Sequence, residues 1–299
     1  MIILYIRGGL GNQLSQIAYA YILSKKCNKN LYIDTSSYRK YKIRSYSVSN
    51  LAIEKYIDYI ENSGISKFQY KLLVCERKTY HLFEKIHGII KGEVGSKIFG
   101  FLAKQGRYYN FDSTYYGYPD CSKSVIDVYG YFLAERYFSD NRSLLIDLFS
   151  VTTKMTEDEK EYYSMIQNAN AVAISMRLQD DYVNNIENNV CDVNYFVRGI
   201  KYIKEHVDNP TFFIFADDIE RAKKLNLGLS ATYISNMSDY QSLRLLYSCK
   251  HYIISNSSFS WWGAYLSRNN SRIIVSPSKW MNTEKNDYAD KYYKGMVRL

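Results

Sequence analysis

Short apolar runs alternate with longer stretches in which apolar residues recur at helical spacing. Ile2 to Ile6 predicts a strand, and Leu14, Ala18, Tyr19, Ile22 and Leu23 fall on one face of a following helix. Leu31 to Asp34 predicts the next strand, completing a βαβ start. Gly64 to Arg107 reads as helical, and Val125 to Tyr131 as a strand. Beyond Thr152 the alternation is regular. Strands are expected at Ala171–Met176, Thr211–Phe215, Tyr233–Ile234, Tyr252–Ile254 and Arg272–Val275. Helices are expected at Glu157–Ile166, Tyr195–His206, Asp218–Leu225, Ser238–Ser248 and Trp261–Leu266. Such alternation implies parallel sheets covered on both faces. The change of texture near residue 152 divides the chain into 1–152 and 153–299.

Composition narrows the class. The 299 residues are 46% hydrophobic, enough for a substantial core, and the net charge of +9 suits an anionic partner such as a nucleotide diphosphate. No recognised motif supports a nucleic acid. The five cysteines are scattered, with no CxxC pair, which argues for a reducing compartment and against a disulfide scaffold or a zinc site. The start of the chain reads as a strand rather than a signal peptide, and no 18-residue apolar run is present, so a cytoplasmic protein is expected. The segment from Gly64 to Arg107 holds nine Lys or Arg against three Glu, interleaved with Phe68, Leu72, Leu82, Phe83, Ile86 and Ile89. It is either a membrane-surface docking region or a helical insertion with a solvated basic face.

Four stretches carry candidate chemistry. Gly8, Gly9 and Gly11 follow a strand and open a helix, so backbone amides there approach a phosphate or sugar closely, and Asn12 and Gln13 add side-chain donors. The alternative is a tight turn with a polar cap. Arg177 lies just past a strand, where open α/β sheets place ligands. It either forks onto a diphosphate or pairs with Asp180. Asp217 and Asp218 follow another strand and either accept from a nucleoside or, for Asp218, cap the next helix. With no third carboxylate or His nearby, no metal is expected. The most informative stretch runs from Ile254 through Asn256, Ser257, Ser258 and Phe259 to Trp261-Trp262-Gly263-Ala264. It reads as an anion site at a helix N-terminus or as a capped helix packed by its aromatics. The four His residues show no ligand spacing.

Taken together, Gly8-Gly9-Leu10-Gly11-Asn12-Gln13, Gly130-Tyr131-Phe132 with Tyr137-Phe138, Phe215-Ala216-Asp217-Asp218 and Asn256 to Ala264 resemble the bacterial α-1,2-fucosyltransferases, glycosyltransferase family 11. The resemblance implies a GT-B fold: two Rossmann-like domains facing across a cleft, with the nucleotide sugar held mainly by the C-terminal one. It implies GDP-L-fucose as donor, inversion at the anomeric carbon, no metal or other cofactor, and transfer to the 2-hydroxyl of a galactose-terminated glycan acceptor. A lipid-linked acceptor would bring the protein to the cytoplasmic face of the inner membrane. By analogy Arg177 neutralises the leaving diphosphate, and Asp180 serves as base or orients Arg177. Gly9, Gly11, Asn12, Gln13, Asp217, Asp218, Asn256, Ser257, Ser258 and Phe259 hold the donor. One departure stands out. Where the family reads His-x-Arg-Arg-x-Asp, this chain has Ser175, Met176, Arg177, Leu178, Gln179 and Asp180. The changed positions admit two other readings, transfer of a related GDP-deoxysugar such as GDP-colitose, or a degenerate glycan-binding or nucleotide-sugar-binding protein.

Overall fold

The computed structural model describes residues 1–39, 44–88, 90–282 and 289–299. Ile89 of the basic segment lies outside them. The chain divides into two compact units, each a parallel α/β layer structure. Unit 1 comprises Met1–Ser49 and Ile53–Arg142, and unit 2 comprises Asn50–Ala52 and Ser143–Leu299.

Unit 1 contains β1 (Ile2–Tyr5), α1 (Leu10–Cys27), β2 (Leu31–Asp34), β3 (Asp58–Tyr59), α2 (Lys67–His87), α3 (Gly92–Ala103), β4 (Arg107–Asn110) and β5 (Ile126–Gly130). Its sheet runs β3-β2-β1-β5-β4, with every pairing parallel. The helical segment predicted between Gly64 and Arg107 is the pair α2 and α3. Ser66 and Gln69 form a capping box that starts α2.

Unit 2 contains α4 (Arg142–Leu148, its first residue ending unit 1), α5 (Glu157–Gln167), β6 (Asn170–Met176), α6 (Asp180–Val183), α7 (Val193–His206) and β7 (Pro210–Ala216). It continues with α8 (Ile219–Lys223), β8 (Ala231–Ile234), α9 (Asp239–Ser248), β9 (His251–Ile254), α10 (Ser258–Tyr265), β10 (Ile274–Ser276) and β11 (Met296–Arg298). The sheet order is β11-β10-β9-β6-β7-β8. From β6 the chain moves outward through β7 and β8, then returns to build β9, β10 and β11 on the other side. The order therefore reverses between β6 and β9, and crevices outside the carboxyl ends of such strands bind ligands. Two buried clusters cover the faces, one around Ile174, Phe196 and Ile214, the other around Phe213, Leu245 and Tyr252.

Two expectations change. The division falls at Arg142 rather than near 152, because Phe149 packs edge-on against Trp262 at 5.3 Å, attaching the segment after α4 to unit 2. Cys27 and Cys121 form a disulfide, with Cα atoms 5.2 Å apart. The lack of close cysteine spacing argued against this, but the two residues are 94 positions apart and meet only through the fold. The argument from cysteines for a reducing compartment falls with it. Cys75, Cys191 and Cys249 are free thiols. Among the described residues, no helix is long and apolar enough to cross a membrane.

Candidate donor site at the strand ends of unit 2

Parallel pairing aligns Ser175 with Phe215 and Ile254, so the segments after β6, β7 and β9 emerge side by side. Asp217 organises the first of them. Its Oδ1 accepts from the backbone N–H groups of Leu178 (2.6 Å) and Gln179 (3.2 Å), and Gln179 Nε2 donates back to the Asp217 carbonyl at 3.1 Å. Its Oδ2 lies 3.2 Å from Arg177 Nε. Arg177 Nη2 meets Asp181 Oδ2 at 2.5 Å. Two carboxylates thus fix the guanidinium of a side chain that stays 27% exposed, and Nη1 has no protein partner among the described residues.

Asp180 does not orient Arg177. It faces Arg221, at 2.8 Å, and Arg221 Nη1 also donates to the Leu178 carbonyl at 2.5 Å. Asp218 is the N-cap of α8, its Oδ1 accepting from Arg221 N at 2.9 Å, so the capping alternative holds. The Leu178 side chain, at the family's second Arg position, turns into the core. Ser175, at the His position, is buried, and its hydroxyl lies 2.7 Å from that of Ser260, which also meets Ser255 at 3.4 Å.

The Asn256 side chain proves structural. Its Oδ1 accepts from the Tyr182 hydroxyl at 2.5 Å, and its Nδ2 donates to the carbonyls of Asn188 and Trp280, both at 2.8 Å. These bonds tie the segments before α7 and after β10 to the end of β9 and correct the expectation that Asn256 is a phosphate donor. Ser257 is the N-cap of α10 without a side-chain cap bond. Ser257, Ser258 and Phe259 are half-buried at the start of α10, and the Ser257 N–H is already held by the Ser255 carbonyl at 2.8 Å. The tryptophans pack the helix. Trp262 is fully buried, and Trp261 stacks on Tyr265 at 4.5 Å while its indole N–H reaches the Lys291 carbonyl at 2.8 Å. Gly263 permits this packing, since a Cβ there would stand 2.2 Å from a Leu246 methyl of α9.

In unit 1, Gly8 adopts φ +85° and Gly9 is the N-cap of α1. Gly11 is buried in the first turn. Gln13 is fully buried and spends its amide on the Gly8 carbonyl (3.0 Å), the Ser45 carbonyl (2.7 Å) and the Ser47 N–H (3.0 Å). It is a strut rather than a donor to ligand. Asn12 remains half-buried beside Gly8.

Sequence reasoning missed Asp181 and Arg221, whose pairings no spacing reveals. It also missed a cluster in unit 1, where Arg7 donates to the Tyr129 hydroxyl (3.1 Å) and burial pushes the Glu84 carboxyl up to about 7. The cavity that Glu84 lines with Asp112 is about 20 Å³, room for one water and not a sugar ring. Among the described residues, no group of three His, Cys, Asp or Glu side chains is arranged to hold a metal ion.

The sequence profile of glycosyl transferase family 11 matches residues 1–298. The chain belongs to this family. Two Escherichia coli relatives are each 27% identical to it. One is an alpha-1,2-colitosyltransferase, aligned over 100% of this chain and 99% of its own. The other is the O-antigen biosynthesis glycosyltransferase WbnK, over 92% and 93%. Among solved structures, fucosyltransferase NodZ from Bradyrhizobium superposes with a TM-score of 0.54 at 12% identity, covering 89% of this chain and 92% of that one. A variant of Arabidopsis thaliana FUT1 in complex with GDP gives 0.53 at 11%, covering 95% and 72%. POFUT1 with GDP gives 0.53 at 13%, covering 92% and 97%. At these identities the likeness shows the fold, two parallel-sheet α/β domains as in GT-B fucosyltransferases. Family 11 membership makes the chain a glycosyltransferase, and its strand-end arginine is the site to explain.

Proposed function

We propose that this protein transfers L-fucose from GDP-L-fucose to the 2-hydroxyl of a galactose in a glycan such as an O-antigen unit, with inversion and without a metal. The observation that carries the reading is Arg177. It sits at the switch point of unit 2, is aimed by Asp181 and Asp217, and has Nη1 unengaged among the described residues. The Ser175–Ser260 hydroxyl contact joins its strand to the first turn of α10. A guanidinium and a helix N-terminus are the groups that a leaving diphosphate needs. The O-antigen and colitosyltransferase relatives, and structural neighbours with GDP bound, support it.

The acceptor oxygen attacks the anomeric carbon of the β-linked donor. The bond from that carbon to phosphate breaks, its electron pair leaves with GDP, and an α-linked product forms. Arg177 and the N-terminal end of α10 meet charge growing on the β-phosphate. Asp180, exposed on α6, takes the acceptor proton in this reading. Asp218 Oδ2, 3.8 Å from Arg221 Nε, leaves an acceptor for the nucleoside. Arg221 supplies the second cation that Leu178 does not, since it reaches the Leu178 backbone. In unit 1, Asn12 and the backbone at Gly9 and Gly11 are the groups assigned to a sugar hydroxyl or phosphate.

A second reading, GDP-colitose as donor, is favoured by the full-length colitosyltransferase relative. A third, binding without turnover, follows from Ser175 and Leu178 standing in place of His and Arg. The deciding experiment gives purified protein GDP-fucose and GDP-colitose in competition, with β-galactosyl acceptors and EDTA. GDP release with substitution at the galactose 2-hydroxyl is the expected result, and the larger kcat/KM names the donor. GDP-sugar binding without turnover would favour the third reading, and no GDP-sugar binding would defeat both transferase readings and leave glycan binding alone.

A further inference from the structure

Helix α2 attaches to unit 1 by a narrow, partly ionic face. Of its 21 residues only Leu73 and Arg77 are buried, and Arg77 is held by Asp34 (2.7 Å) and Asp127 (3.0 Å). The opposite face is apolar and open. Phe68, Leu72, Leu82 and Ile86 share one side at helical spacing and are 78%, 47%, 58% and 68% exposed. On α3, Val94 and Phe101 also share a side and are exposed. With Phe83, these are seven of the thirteen large exposed hydrophobic side chains among the described residues. Scattered exposed apolar residues are ordinary, whereas a cluster marks an interaction site. Between the two helices lies a groove of about 600 Å³, walled by Thr79 and Phe83 of α2 and Val94, Ile98 and Phe101 of α3.

Charge identifies the occupant. Lys67, Lys71, Lys78 and Lys85 recur at helical spacing along one border of the α2 stripe, all exposed and without a carboxylate partner among the described residues. The two acidic residues of α2 are withdrawn, Glu76 to Arg107 at 2.5 Å and Glu84 into a half-buried position. An apolar stripe bordered by unopposed amines fits a uniformly anionic, apolar-backed surface better than the mixed charges of a protein partner.

We propose that α2 and α3 dock this protein onto an anionic phospholipid bilayer, with the stripe entering the headgroup boundary and the groove taking a lipid hydrocarbon chain. This goes beyond the transferase reading and does not depend on it. Co-sedimentation with vesicles of phosphatidylcholine, with and without phosphatidylglycerol, tests it. Binding should require phosphatidylglycerol and weaken with salt. Each lysine near the surface contributes about fivefold, so Lys67→Gln/Lys71→Gln/Lys78→Gln should bind about a hundredfold more weakly. Phe68→Ser/Phe101→Ser should lose at least about tenfold. Both variants change exposed positions outside the donor site and should keep wild-type turnover on a soluble acceptor. Cys75, the exposed free thiol, lies in the groove wall, and a polarity-sensitive dye on it should shift to the blue on binding. No binding to phosphatidylglycerol vesicles at low salt, or unchanged binding by both variants, would overturn the proposal. Binding without a dye shift would overturn the role of the groove. The assay needs no donor or acceptor, so its failure and that of the transferase reading are separately visible.

Discussion

The segments that leave β6 and β9 begin side by side and end in opposite conditions. After β6, Arg177 is aimed by two carboxylates and its side chain stays partly exposed. After β9, Asn256 commits its amide to Tyr182, Asn188 and Trp280, and the two tryptophans are core. The stretch with the more distinctive sequence is therefore the one more fully spent on architecture. A distinctive motif records how tightly a segment is constrained, and helix packing constrains as strongly as a ligand does.

The contrast can be broken at either end. Arg177→Ala should lower kcat by about a hundredfold to a thousandfold, the usual loss for one donor to a developing anion, with little change in Tm because its ion pairs are partly exposed. Asn256→Ala should cost about 2 kcal/mol, or roughly 4–8 °C in Tm, by leaving half-buried partners unpaired, and should reduce kcat far less than Arg177→Ala does. Asp217→Asn keeps an acceptor for the Leu178 and Gln179 amides but loosens Arg177, so kcat should fall about tenfold in steady-state assays. Ser175→Ala should be the mildest, under about 1 kcal/mol by thermal unfolding, since Ser260 keeps a second hydroxyl neighbour in Ser255.

Legibility followed burial and periodicity. The strands of unit 2 could be read because runs such as Ala171 to Ile174 are apolar and buried on both faces. Strand β4 could not, because Tyr108 and Tyr109 look amphipathic and are buried only by spending their hydroxyls on Asp120 and Asp127. The three-residue edge strand β11 offered too short a pattern. At the site, residue types after strands were readable, as with Arg177 and Asp217. Their partners were not, because side chains in a turn follow no period, and so Asp181 rather than Asp180 holds Arg177. The Cys27–Cys121 bond and the Phe149–Trp262 contact join residues far apart in sequence, beyond the reach of local pattern.

The measurement that bears most directly on the account is kcat for wild-type protein and Arg177→Ala with GDP-fucose, GDP-colitose and a β-galactosyl acceptor, each paired with Tm. The account predicts turnover by the wild type, with kcat lower by at least about a hundredfold in the variant at unchanged Tm. Near wild-type turnover by Arg177→Ala would contradict it.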